Sequence, residues 1–354
     1  FESYFVRPEN FWTQEPGGIL ADTIRQGEGQ SILINAYSRS QFVLSRRWKL
    51  NIGLHLMYLA ESGEASLEPR LGIRYQLTPK QSLSFGYGLH SQMEPYFTYI
   101  VQRQSTTGNL YRYNEDIRFN KSHHFVLSHR WQPTERLRLG VEMYYQHLFN
   151  MVVGENLPIS RVGGLDYYFS TIDLNNGGVG RNMGIEFALE RSFAEGYYFL
   201  FNGSLFDANY TPNDQITRPS RFNNRFITNG VLGKEWKVGK KRGRSNLLNA
   251  NLSATYSGPR YYTPFDLELA LTEGVLQTDY LNPNSGVQDP LIFLDASIVF
   301  QRNRPKTSTQ LALQVKNILN QRPLLRQAFN RETMDVLDIY GSGILPVLLW
   351  KIQF

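Results

Sequence analysis

The sequence predicts an all-β fold, a transmembrane antiparallel up-and-down β-barrel, and three observations lead to this prediction. Apolar and polar residues alternate with a period of two in segment after segment. The connections between these segments are alternately short and long. The chain also ends on an alternating segment with an aromatic last residue. Alternation of this kind gives a strand one apolar face for lipid and one polar face for the lumen.

Thirteen strands are predicted from the alternation. In the clearest one, Leu50, Ile52, Leu54 and Leu56 are separated by small, polar or flexible residues, which gives one apolar face. The predicted strands lie at 32–45, 50–58, 71–75, 83–89, 123–131, 137–145, 183–189, 197–209, 226–236, 246–257, 291–301, 308–319 and 345–354.

The last strand is the most informative. Leu348, Trp350, Ile352 and Phe354 form a wholly apolar face, and the other face carries Lys351. A closing strand of a membrane barrel needs an outward apolar face and ends at the membrane interface. The chain is therefore predicted to lie in a bacterial outer membrane, in contact with its lipid and lipopolysaccharide.

The connections predict the orientation. Bacterial barrels have short periplasmic turns and longer outside loops. With the C-terminus on the periplasmic side, every short turn falls inside and every long loop outside; only the connection at 60–65 is a short outside loop. The short turns are 46–48, 78–80, 133–136, 192–196, 237–244 and 303–307, and the long loops are 93–120, 151–178, 210–224, 258–290 and 320–343.

Composition excludes several other classes. No run of about 18 apolar residues is present, so no spanning helix is expected. There is no cysteine, which excludes disulfides and thiolate metal sites. The net charge of +6 is mild, and the basic run at 237–244 lacks interleaved aromatics, so no nucleic-acid partner is expected. Aromatics make up 14% of the chain, which suits interfacial girdles.

The N-terminus predicts an incomplete barrel. Single-chain bacterial barrels have an even strand number, and thirteen is odd. The segment at 1–6 is interpreted as the outer end of an outward-going strand, which makes about 14 strands. Residues 1–354 are therefore expected to form the C-terminal portion of a single outer-membrane β-barrel domain. No signal peptide is visible at Phe1, so a mature or truncated chain is expected.

Charged residues on the polar faces are the candidate lumen residues. Glu142, Glu186 and Glu190 can pair as general acid and base, or they can form a lattice of opposite charges with lumen arginines, which is the favoured interpretation. His90, among small residues, is the histidine best placed to contact a ligand. His123 and His124 point to opposite faces, so no metal site or cofactor is expected. The lumen set is Arg70, Arg74, His90, Arg130, Arg138, Glu142, Glu186 and Glu190.

Aromatic residues in the outside loops are the candidate ligand contacts. They can stack on a sugar, a chelated metal complex or a peptide, although a lipid-interface girdle uses the same residue types. These residues are Tyr96, Phe97, Tyr99, Tyr111, Tyr113, Tyr167, Tyr168, Tyr261 and Tyr262.

Several short sequence segments resemble the C-terminal barrel of TonB-dependent outer-membrane receptors, particularly the Bacteroidetes type. They lie in the family's order along nearly the whole chain. The segments are SLEPRLGIRY at 66–75, FGYGLHSQ at 85–92, GIEF at 184–187 followed by GYY at 196–198, LGKEW at 232–236 and VKNILN at 315–320.

The resemblance implies an energy-coupling box, a plug domain and a barrel of about 22 strands. The plug and the first strands are expected to be absent from residues 1–354, so the TonB complex would act through a missing N-terminal region. Trp350, Ile352 and Phe354 are similar to the signal recognised by the barrel-assembly machinery. A surface lipoprotein is a further candidate partner by analogy.

Three functions are weighed. The leading hypothesis is a receptor that imports a scarce solute, such as a siderophore, vitamin, glycan or peptide, through a plugged barrel. The alternative is a self-contained passive channel of about 14 strands, in which the strand at 1–6 pairs with the strand at 345–354. An outer-membrane hydrolase is the weakest of the three, and no enzyme activity is expected.

Overall fold

The computed structural model describes residues 2–6, 12–13, 22–23, 29–105, 107–164, 172–241, 244–266, 268, 277–330, 333 and 335–354. Fourteen strands follow one another in a single antiparallel sheet, each hydrogen-bonded to its neighbours in chain order. They are β1 (Glu2–Val6), β2 (Gly29–Val43), β3 (Trp48–Leu59), β4 (Glu64–Thr78), β5 (Gln81–Gln92), β6 (Asn120–Trp131), β7 (Leu137–Gly154), β8 (Leu174–Ala194), β9 (Tyr197–Thr211), β10 (Phe226–Lys241), β11 (Arg244–Ser257), β12 (Leu291–Asn303), β13 (Ser308–Lys316) and β14 (Leu345–Gln353).

The thirteen predicted strands and the segment at 1–6 are confirmed as elements of this sheet. Several strands are much longer than predicted. The segment predicted at 183–189 belongs to β8, which has 21 residues, and the one predicted at 71–75 belongs to the 15-residue β4. The apolar alternation follows contact with lipid, but backbone pairing continues above the lipid, where either face tolerates polar residues. Alternation therefore locates a strand without giving its ends.

The strand registers separate two faces. One unbroken row across six strands is apolar and partly exposed, which identifies the outer, lipid-facing side; it runs Ile52, Leu71, Tyr87, Phe125, Tyr145, Met183. A second row on the opposite face is polar, which identifies the inner side; it runs Lys49, Arg74, Ser84, Ser128, Glu142, Glu186, Ser204. The sheet therefore has the two-faced character that a membrane barrel requires.

Tryptophan marks one edge of the outer face. Trp48, Trp131, Trp236 and Trp350 are exposed on this face, and all four lie near the short turns or the C-terminus. Towards the long loops, the Tyr87 hydroxyl lies 3.0 Å from His123 Nδ1, and the His123 ring stacks on Phe149. Tryptophan and tyrosine, whose rings are amphipathic, are enriched at membrane–water interfaces. These two groups therefore mark the interfaces at the two ends of the lipid-facing band.

The edges of the sheet pair on one side only within the described residues. β1 pairs with β2, and β14 pairs with β13; the described residues contain no pairing of β1 with β14. The closure expected for a self-contained channel of 14 strands is therefore not found in this part of the chain.

The turns and loops carry the remaining elements. The β8–β9 turn places both Glu195 and Gly196 at positive φ, the conformation of a type I′ hairpin turn. One short helix, Phe97–Ile100, lies in a long loop, and no helix of the described residues has the length and apolar character to cross a membrane. The short loop strands are Trp12–Thr13 with Asp22–Thr23, Gln102–Gln104 with Leu110–Arg112, Arg218–Pro219 beside β9, Arg260–Tyr262 with Gly286–Gln288, Phe265–Asp266 with Gln277–Thr278, and Leu324–Asn330 with Asp335–Tyr340.

Adjacent residues of β13 test the assignment of the faces. Leu313 lies on the outer face and Gln314 on the inner face. We expect Leu313→Arg to lower the free energy of unfolding by about 2–4 kcal/mol, because an arginine would enter hydrocarbon. Gln314→Arg should change it by no more than about 0.5 kcal/mol. Urea unfolding in phospholipid vesicles measures both; equal costs, or the opposite order, would contradict the assignment.

Candidate functional site

The inner face carries all eight candidate lumen residues. Cross-strand register places Arg70 and Arg74 of β4 on the same face as His90 of β5, and this face continues through β6 and β7 to β8. Arg130, Arg138, Glu142, Glu186 and Glu190 are the others on it. The eight residues therefore share one face, although they are spread over five strands.

The expected charge lattice is present only in part. Arg138 and Glu190 are opposite each other, with Nη1 and Oε2 3.8 Å apart. Arg74 donates instead to the Ser82 hydroxyl at 3.2 Å. Register determines which charges meet, and alternation alone does not contain that information.

Glu142 and Glu186 form a carboxylate pair. They are directly opposite each other on β7 and β8, and they line a groove of about 530 Å³ with Arg130, Tyr144 and Ser204. Within the described chain, neither has a lysine or arginine nitrogen within 4.0 Å. Like charges in directly opposite positions destabilise a sheet. The pair is therefore a site that a cation from outside these strands would stabilise.

Glu68 is a central inner-face residue that the sequence reasoning missed. Its side chain is only 1% exposed. It accepts hydrogen bonds from Arg70 Nη2 and from the Ser91 backbone N–H, both at 3.0 Å, and its Oε2 lies 2.9 Å from His55 Nδ1. Glu68 precedes Arg70 by two residues on the same strand, and this spacing indicates that both side chains lie on the inner face.

His90 lies close to a second histidine. Its ring centroid is 4.5 Å from that of His124, which belongs to the same face. Where the structure describes the chain, no three His, Asp or Glu side chains are grouped to hold a metal ion. The two histidines therefore form a ring contact on the inner face.

A loop core closes part of the outer end. It combines buried side chains of the 93–119 loop, including Tyr99, Ile100 and Phe119, with Leu33 and Leu59 and with further residues of β3, β7, β8 and the 155–173 loop. Leu33 and Leu59 are opposite each other on the inner face of β2 and β3. The 93–119 loop therefore packs against the inner face of the sheet, at the end where the long loops lie.

Ion pairs hold this loop core in place. Arg103 pairs with Asp173, and Arg161 pairs with the buried Glu94, at 3.1 and 3.0 Å. Arg112 pairs with Glu61. These contacts join the 93–119 loop to its neighbours on both sides, so the loops form one packed unit.

The predicted loop aromatics that the structure describes fall into three groups. Tyr96, Phe97 and Tyr99 are buried in the loop core, so they stabilise the loop and do not face solvent. Tyr111 is 44% exposed, and Tyr113 lies under the Arg103 guanidinium at 4.3 Å. Tyr167 and Tyr168 lie outside the described residues, and Tyr261 and Tyr262 line a groove between loops.

Burial also changes the chemistry of the loop tyrosines. It raises the pKa of Tyr99 far above the usual tyrosine range, and burial together with Glu61 does the same to the pKa of Tyr96. A raised pKa means that the fold favours the neutral phenol. This stabilisation is complete below the ordinary tyrosine pKa and is lost as the pH rises through the raised values.

A loop groove of about 480 Å³ lies between the loops at 212–225, 258–290 and 317–344. Arg221, Arg260, Tyr261, Tyr262 and Gln288 are among its lining residues. The buried Asn284 anchors the surrounding loops, because its Nδ2 donates to the carbonyls of Gly163 and Pro219 at 2.7 and 3.0 Å. The sequence reasoning included the two tyrosines and missed the two arginines.

Comparison with known proteins identifies this architecture. The family model for the TonB dependent receptor-like β-barrel matches residues 6–318. The chain belongs to the TonB-dependent receptor β-barrel family. No curated protein matches it in sequence.

Solved receptors have the same fold. The ferric yersiniabactin uptake receptor FyuA from Yersinia pestis is similar over 93% of this chain and 47% of its own, with a TM-score of 0.64 and 15% identity. The FrpB iron transporter from Neisseria meningitidis covers 91% and 45%, with a TM-score of 0.60 and 12% identity. The siderophore receptor PiuA from Acinetobacter baumannii covers 90% and 42%, with a TM-score of 0.60 and 12% identity. This chain therefore spans less than half the length of each of these receptors.

Family membership resolves two of the sequence predictions. TonB-dependent receptor barrels are outer-membrane proteins of Gram-negative bacteria, so the predicted location is confirmed. The family consists of receptors and transporters and is not an enzyme family. Family membership therefore gives no support to the hydrolase alternative.

Two tyrosines of the 93–119 loop test the loop core. We expect Tyr99→Ala to destabilise this loop by about 3–5 kcal/mol, because it removes a fully buried aromatic ring. Tyr111→Ala, at an exposed position, should cost no more than about 0.5 kcal/mol. Protease cleavage of the loop on intact cells should accelerate only in the first variant, and equal rates in the two variants would show that the loop has no such core.

Proposed function

We propose that this barrel is the C-terminal part of a TonB-dependent receptor that imports a scarce solute across the outer membrane. The carboxylate pair, Glu142 and Glu186, is the observation that carries the proposal. These two residues face a lumen groove, lie opposite each other, and have no cation partner in the described chain. Lysine or arginine residues of a plug domain are the partner that fits, because ion pairs would relieve the repulsion.

The inner face as a whole supports a plugged barrel. The face carries arginine, serine, asparagine and glutamate, which can hydrogen-bond to another polar surface. Above Gly140 a side chain would meet nothing within 4 Å, and above Gly86 only Val126, at 4.0 Å. Space of this kind beside charged groups suits a globular domain packed inside the wall.

The partners follow from this arrangement. We propose that TonB acts through a segment N-terminal to this barrel, and that the exposed Trp350, Ile352 and Phe354 present the assembly signal to the barrel-assembly machinery. Lipid and lipopolysaccharide contact the outer face. A surface lipoprotein above the outside loops and the Bacteroidetes-type assignment remain predictions from sequence resemblance.

The import function is tested without knowing the solute. Spent medium from three isogenic strains is compared by untargeted mass spectrometry: one with the gene, one without it, and one with the gene but without TonB. We expect at least one solute to be depleted only by the first strain, because transport through a plugged barrel needs energy from TonB. Depletion that persists without TonB would favour a passive channel.

The carboxylate pair generates a separate prediction. We expect Glu142→Gln with Glu186→Gln to make cells sensitive to a large antibiotic such as vancomycin, because the plug loses its ion pairs. A hydrogen bond to a charged group contributes about 1.5–3 kcal/mol, so losing one such bond should raise the open fraction roughly 10- to 100-fold.

Glu190→Gln is the matched control for this double variant. It removes a carboxylate from the same face of β8, but one that already has Arg138 beside it. The control should leave antibiotic resistance unchanged. Equal sensitivity in the control and the double variant, or none in either, would remove the argument for a plug contact at the pair.

A further inference from the structure

The arginines of the outside loops differ in their partners. Those that pack the loops have carboxylates: Arg112 has Glu61, Arg161 has Glu94, and Arg218 has Asp214 at 2.7 Å. The hydrogen bond from Arg218 also lowers the pKa of Asp214. In the described chain, Arg221, Arg225 and Arg260 have no acidic side chain within 4.0 Å. These three arginines lie at or beside the loop groove.

Among the described residues that line the loop groove, none carries a negative charge to balance Arg221 and Arg260. Its other lining residues are aromatic, amide, hydroxyl and aliphatic, with no aspartate or glutamate among them. The groove volume of about 480 Å³ lies in the range of pockets that bind small molecules. It is therefore a small, positively charged groove on the side where a solute arrives.

Arg260 lines this groove and has one donor without a partner among the described residues. Its Nη2 donates to Gln288 Oε1 at 2.5 Å and to the Leu324 carbonyl at 3.3 Å. Its Nε is buried and has no hydrogen-bond partner among the residues that the structure describes. Burial lowers the pKa of Arg260, and the charge of Arg221 lowers it further. A buried cationic donor without a partner costs free energy that an anion would recover.

The aromatic wall of the loop groove is held in position. Arg225 Nε donates to the Tyr261 hydroxyl at 3.2 Å. The Tyr262 ring lies over Gly286, where an added Cβ would come within 2.6 Å of it. A wall fixed in this way loses little conformational freedom when a ligand binds.

We propose that the loop groove binds a small ligand through an oxyanion group, with Arg260 and Arg221 as its charged contacts and Tyr261 beside them. Guanidinium groups bind carboxylate and phosphate oxygens with paired, charge-assisted hydrogen bonds. The inference rests on the proposed function, because the bound anion would be part of the imported solute.

Arginine labelling on the protein purified in detergent tests the proposal. The probes are citrate and inorganic phosphate, each compared with sodium chloride at the same ionic strength, and the reagent is phenylglyoxal with peptide mass spectrometry. We expect at least one of the two anions to slow labelling of Arg221 and Arg260 at least tenfold, an effect that a single charge-assisted contact is enough to produce. Protection by citrate alone indicates a carboxylate ligand, and protection by phosphate alone indicates a phosphoryl ligand.

Variants and an internal control make the result decisive. Arg136, which pairs with Glu195 on the short-turn side, should label at the same rate in all three salts. In Arg260→Gln, the anion should no longer protect Arg221, whereas Arg136→Gln, with the same loss of charge, should leave that protection intact. Labelling of Arg221 and Arg260 that is equal in all salts, or protection of Arg221 that survives Arg260→Gln, would overturn the proposal.

The outcome is independent of the import test. Labelling uses purified protein without TonB or transport. Anion protection together with TonB-independent uptake would contradict the proposed function and leave the loop groove as an anion site. TonB-dependent uptake without anion protection would support the proposed function and contradict the anion site in the loop groove.

Discussion

Hydrocarbon offers no hydrogen bonds to a backbone, and the rest of this structure depends on that constraint. The backbone groups of spanning strands must pair with neighbouring strands, so the chain runs as a meander of fourteen strands, of which all but the two at the edges pair on both sides within the described residues. The same solvent requires apolar side chains on the outer face, as in the row from Ile52 to Met183, and leaves the inner face for polar groups. The polar inner face and the loops above it are then the parts available for specific function.

The receptor barrel satisfies its charges in two different ways. In the loop core, arginines have carboxylate partners, and these ion pairs join loops that also share buried aromatic residues. At the carboxylate pair and in the loop groove, charged side chains have no ion-pair partner within 4.0 Å among the described residues. Repulsion between like charges favours an incoming partner of opposite sign. The first place fits a cationic plug surface, and the second fits an anionic solute.

The sequence predicted the strands and their faces because lipid imposes a period of two that is visible residue by residue. It did not predict the ends of β8, since backbone pairing continues where lipid contact stops. It placed Glu142 and Glu186 on the lumen face, but their opposition depends on register between strands. Both Tyr99 and Tyr261 were predicted from the sequence as ligand contacts. In the structure Tyr99 is buried in the loop core, whereas Tyr261 lines the loop groove. Arg221 and Arg260 were missed because loop arginines have no periodic pattern, and only the fold brings them together.

Ion conductance tests most directly whether a second domain fills the lumen. The native protein, extracted from its own outer membrane, is inserted in a planar lipid bilayer, and the current is recorded before and after urea is added. We expect no current at first, and channels that open reversibly when urea loosens the plug. Steady open channels from the first insertion, unchanged by urea, would contradict it.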